Sequence, residues 1–163
     1  MTAQIAELEK ILNQQLVEHR SLLAGIDEHL GSLRTLRFDA VQAAATSIEQ
    51  SRTRVVMLEV KRRMVMQQLS RLYKLPADAS LQQVAEALPQ HRGTLMKLRD
   101  QLKQVTADIT RKTTVSSRVS GAMLGHLNTV VRLVAGAMQQ ASVYTRQGVP
   151  TVAGRIGVME AVG

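Results

Sequence analysis

The sequence predicts an all-α protein: an elongated antiparallel helical hairpin or bundle of three long helices with coiled-coil-like packing, a short helical insert and a flexible C-terminal tail. Three observations predict it. Apolar residues recur at spacings of three and four through three long stretches, and an average period of 3.5 belongs to helices packed in a coiled-coil-like bundle. Aromatic residues make up 2% of the chain and Trp is absent, so a core must be built from Leu, Val, Ile, Met and Ala, which suits helix-on-helix packing better than a β-sandwich. A length of 163 residues supports one core, so residues 1–140 are expected to form the helical domain and 141–163 the tail.

The first helix is expected from Ala3 to about Leu36, on the stripe Ile5, Leu8, Leu12, Leu16, His19, Leu23, Ile26, Leu30 and Leu33. Gly31 and Ser32 weaken its end. His19 reads as a polar contact at the seam, because none of the histidines has the His-x-x-x-His spacing of a helical metal site. No metal site is read.

Asp39 with Gln42 has the form of a capping box, which would open a second helix near Ala40 that runs to about Lys74, before Pro76. Its seam is Val41, Ala44, Ile48, Ser51, Val55, Leu58, Arg62, Val65, Leu69 and Leu72. Met57, Met64 and Met66 widen this stripe and at helical spacing read as core filler rather than adaptable binding surface. Arg62 on the seam must find a carboxylate or reach water. Leu75-Pro76-Ala77-Asp78 is a turn, and Ser80 with Gln83 forms a second capping box that opens a short helix, Leu81 to Leu88, ended by Pro89.

The third long helix is expected from Gln90 to about Gln140, with its seam running from Leu95 through Leu98, Leu102, Val105 and Ile109 to Val130, Leu133 and Ala137. At 1.5 Å per residue the first two helices span roughly 50 Å each and this one roughly 75 Å. About four turns, near Gly125 to Gln140, are therefore expected to lack a partner within the chain. Those turns carry Leu127, Val130, Val131, Leu133, Val134, Ala137 and Met138, a face open to another helix or to a second copy of the chain. Gly121 and Gly125 mark either a close helix approach or a hinge. From Ala141 onward the chain has Gly148, Pro150, Gly154 and Gly157, one Tyr and no apolar period, which reads as a mobile tail.

Composition limits the function classes. The chain has no Cys, hence no thiolate chemistry, which fits a reducing cytoplasm. The first ten residues lack the apolar core of a secretory signal, and the most apolar run, Met123 to Met138, is broken by Gly125, His126, Asn128, Arg132 and Gly136. A soluble protein without membrane insertion is expected. No nucleophile and base, no metal cluster and no Gly-rich phosphate loop is found, so neither catalytic residues nor a cofactor is assigned. Of the +8 net charge, residues 1–39 hold 4 basic and 6 acidic side chains and residues 40–163 hold 17 and 7. This asymmetry suits a solvated basic face, or a surface for an acidic partner. A basic coiled-coil scaffold or nucleic-acid-binding protein is the alternative function, but the chain has almost no aromatics for stacking and no compact basic stretch beyond Lys61-Arg62-Arg63.

Two long helices, a short insert and a third helix running into a tail with a lone Tyr resemble the FlgN family of flagellar export chaperones. Leu58-Glu59-Val60-Lys61-Arg62 is similar to that family's Leu-Glu-x-x-Arg stretch, Tyr144 to Gly148 to its Tyr-x-x-x-Gly segment, and Leu75 to Pro89 to its Pro-containing insert. Thr113, Thr114, Ser116 and Ser117 stand where members often carry paired Asn, a departure that bears on the role of that segment. The resemblance implies a cytoplasmic type III export chaperone for hook-associated proteins of the hook–filament junction. Such a chaperone binds its clients' terminal helical segments, prevents premature assembly and delivers them to the flagellar export gate protein. The unpartnered apolar end of the third helix is a surface on which such a client segment could form its helix, and the resemblance further implies that Tyr144 docks on the gate.

Overall fold

The computed structural model describes residues 2–143, with side chains over 3–136. Four helices form in chain order: α1 (Thr2–Arg34), α2 (Phe38–Leu72), α3 (Leu81–Glu86) and α4 (Arg92–Val143). Among the described residues there is no strand. The chain divides into two units, Met1–Val119 and a second that begins at Ser120.

In the first unit α1 and α2 are antiparallel. Gln15 reaches Glu59 at 3.2 Å, Arg54 reaches Glu18 at 2.8 Å, and the hydroxyls of Ser21 and Ser51 lie 3.2 Å apart, so numbers fall on one helix as they rise on the other. Farther along, a Cβ on Gly25 would stand 3.1 Å from Ile48 Cγ1, which explains a glycine at this close approach. The part of α4 before Ser120 runs parallel to α1: His91 pairs with Glu9 at 2.9 Å, Lys112 with Asp27, and His29 with Ser116 at 3.2 Å.

Heptad spacing accounts for the core. Ile5, Leu8, Leu12 and Leu16 of α1 pack with Met66 and Leu69 of α2, Val84 and Ala85 of α3, and Leu95, Leu98 and Val105 of α4. Leu8, Leu69, Val84 and Leu95 have no exposed surface. Val84 and Ala85 show that the short helix is part of the core and not merely a link between its neighbours. Its expected capping box is present: Gln83 N–H donates to Ser80 Oγ at 3.3 Å and Ser80 N–H to Gln83 Oε1 at 2.8 Å. It ends at Glu86, with Ala87 as its C-cap, slightly before the expected Leu88.

Asp39 does not cap α2. That helix already starts at Phe38, with Arg37 in the cap position and no side-chain cap bond, so Asp39 lies inside the first turn. There its carboxylate faces the positive end of the helix dipole. The reason is a tight ending to α1: Leu36 takes φ 55, Arg37 N–H donates to the Ser32 carbonyl at 3.1 Å, and Leu36 N–H to that of Leu33 at 3.2 Å. This Schellman turn satisfies the orphan carbonyls of α1 and restarts a helix at once. The same motif closes α2, where Lys74 takes φ 54 and Leu75 N–H donates to the Ser70 carbonyl at 2.8 Å.

Two expectations about α2 side chains need correction. Met66 is buried, but Met57 and Met64 are exposed, because successive steps of 100° carry them away from the α1 seam. Leu72, expected on the seam, is 45% exposed at the last helical position. Among the described residues Gly121 and Gly125 make no close approach either: a Cβ on each would meet none of them within 4 Å, and α4 is uninterrupted through both.

Candidate functional site

The candidate surface lies on the described part of the second unit, residues 120–143 of α4. Every described side chain from Leu124 to Ala135 is exposed, and among them Leu124 is 66% exposed, Val131 63% and Leu133 69%. At 100° per residue, Leu124, Leu127, Val130, Val131, Leu133 and Val134 share about half the helix circumference. The other half holds Gly125, Asn128, Thr129, Arg132 and Gly136. One helix thus presents a broad apolar face to water with a small, polar back. The sequence has no Asp or Glu between Asp108 and Glu160, so the only formal charge on this stretch, Arg132, is positive.

An apolar face of this kind can do one chemical thing well, which is to release ordered water when another apolar surface covers it. Five of the seven residues expected to receive a client, Leu127, Val130, Val131, Leu133 and Val134, are exposed together on it. Ala137 and Met138 belong to α4, but their side chains, like the whole of Tyr144, lie outside the described residues. Leu124 belongs to the same face but falls outside the expected set. Its signal was its position three residues before Leu127, on the shared arc.

The seam arginine finds its carboxylate in its own helix. Arg62 Nε and Nη2 both donate to Glu59 at 2.7 Å, Arg63 Nε adds a bond at 3.0 Å, and Gln15 Nε2 donates from α1 at 3.2 Å. The Arg62 fork, opposed by partial burial and helped by Arg63 and Gln15, holds the Glu59 carboxyl down at about 2, and Arg62 is raised in turn. Through Gln15 the cluster ties α1 to α2. The Leu-Glu-x-x-Arg stretch is therefore a structural clasp, with both charges satisfied at the edge of the core.

Three of the four histidines serve packing as well. His19 Nδ1 donates to the Gln15 carbonyl at 2.7 Å, His29 bridges α1 to α4, and His91, just before α4, pairs with Glu9 of α1. Among the described residues no three His, Asp or Glu side chains converge as a metal-ligand set, and no helix is long and apolar enough to cross a membrane.

Among curated proteins and among solved structures the chain finds no match. The family model described as FlgN protein matches residues 1–151, a span that takes in the helical hairpin, the Glu59–Arg62 clasp, the short capped helix, all of α4 and the Tyr-x-x-x-Gly segment. The chain belongs to the FlgN family, a family of flagellar export chaperones and not of enzymes.

Proposed function

We propose that this chain is a cytoplasmic chaperone that binds hook-associated proteins of the hook–filament junction, keeps them unassembled and delivers them to the export gate. One observation carries the reading: a member of the FlgN family displays on α4, from Leu124 to Val134, an apolar half-cylinder whose side chains are exposed among the described residues. A client's terminal segment, helical only when it has something to pack against, would lay its own apolar stripe there. Ala137 and Met138 would continue the face by their position in the helix, and Tyr144 would serve the export gate.

The test is a titration of the full chain with the terminal segment of a hook-associated protein. Leu133→Glu should weaken binding at least roughly tenfold, because docking must then desolvate a carboxylate. Tyr144→Ala should leave this titration unchanged and reduce delivery in an export assay. Affinity should respond weakly to salt. A steep fall with ionic strength would instead favour binding to a polyanion such as nucleic acid. Unchanged client affinity in Leu133→Glu would move the client surface elsewhere on the chain.

A further inference from the structure

A second unpartnered apolar surface lies within the first unit. On α2, Val56, Met57, Val60 and Met64 are each more than half exposed, and at 100° per residue they fall within an arc of about 100°. Across a groove of about 500 Å³ stands Val17 of α1, 62% exposed, with Leu16 and Leu58 also lining the groove. Four exposed branched or thioether side chains in a row on one helix are not needed for the α1–α2 seam, which Ser51, Val55, Leu58 and Leu69 occupy on a different side of α2.

The charges around this surface choose its occupant. Arg20, Arg54 and Lys61 line the groove against one carboxylate, Glu18, which Arg54 already engages at 2.8 Å. On the far side of the apolar row, Arg52 and Arg63 flank it, each near a carboxylate of its own helix. A second copy docked groove to groove would bring a cationic rim against a cationic rim. The segment 144–163, with two arginines and one glutamate, offers little better. An apolar stripe bordered by carboxylates meets both requirements at once, and unbranched methionines can repack around it.

We infer that the exposed apolar row of α2, together with the α1–α2 groove that it borders at Met57, is a docking site for an amphipathic helix of a protein partner whose apolar stripe is flanked by acidic residues. This surface is separate from the α4 face and does not depend on the function given to it. A helix laid along Val56 to Met64 would cover its apolar row over about two turns, with its carboxylates placed toward Lys61 and Arg20 on the groove side.

The probe is a pair of synthetic 18-residue helical peptides with leucines at three- and four-residue spacing, one flanked by Glu and the other by Lys. They are titrated into the full chain labelled with ¹³C at the methionine methyls. The Glu peptide should shift the Met57 and Met64 signals and bind at least roughly tenfold more tightly than the Lys peptide. Lys61→Glu should narrow or reverse that preference, and Met57→Glu should weaken the Glu peptide roughly tenfold, whereas Leu133→Glu should leave it unaffected. Equal binding of the two peptides, shifts confined to Met123, or loss of Leu133→Glu binding would overturn the proposal. So would sedimentation showing that the chain self-associates and that Met57→Glu abolishes it, since the groove would then be an interface between copies.

Discussion

The first unit and the later part of α4 carry the same apolar pattern with opposite outcomes. Leu95, Leu98 and Val105 are buried against α1, α2 and α3, whereas Val130 and Leu133, on the same helix and in the same 3.5-residue register, are exposed. A heptad pattern reports that a helix is suited to a partner. It does not say whether that partner lies in the same chain. The client reading proposed for α4 rests on this difference, because only a face that the fold leaves exposed is available to a partner.

The sharpest way to break the comparison is to place one charge in each region. Leu95→Glu buries a carboxylate with no partner and should cost about 4 kcal/mol or more, enough to unfold much of the protein. Leu133→Glu should change stability by no more than about 0.5 kcal/mol, since water still solvates the group. Urea denaturation of both variants checks this, and similar costs would mean that the two regions are equivalent core.

A milder contrast lies within α2. Met66→Ala leaves a cavity in a packed site and should cost about 2–4 kcal/mol, whereas Met64→Ala, at an exposed position, should cost less than about 0.5 kcal/mol. Thermal unfolding of the pair reads the difference. A large cost at Met64 would remove the case for a free groove on this helix.

The Glu59 clasp predicts an acid-sensitive contribution confined to the first unit. Its carboxyl sits at about 2 when folded, below the ordinary range near 4, so the stabilisation is complete above that range and is lost as pH falls toward 2. With the group partly exposed, screening leaves about 1 kcal/mol. Urea midpoints of the wild type and Glu59→Gln should therefore differ at neutral pH and converge near pH 2. The smallest expected effect is a gain: Lys74→Gly removes a left-handed side chain from the turn after α2 and should add about 0.5–1 kcal/mol, measurable as a raised unfolding midpoint.

Much of this was legible in the sequence. Helix periodicity placed Leu8, Leu12, Leu69 and Leu95 in the core, and local chemistry placed the Ser80–Gln83 box, because such interactions span three or four residues and depend on little else. The scarcity of aromatics, at 2% of the chain, together with the 3.5-residue apolar period was enough for the all-α class. Family membership also rests on sequence, through the match over residues 1–151.

The tertiary structure decided what packing direction controls. The start of α2 depended on how tightly α1 could turn at Leu36, a geometry that pre-empted the cap at Asp39. The three methionines look alike in sequence, but a rotation of 100° per residue buries Met66 and exposes Met57 and Met64. Arg62 could have reached water or any of several carboxylates, and only the folded geometry selects Glu59 with Gln15 behind it. Burial depends on which atoms arrive from distant parts of the chain, and no local pattern contains that information.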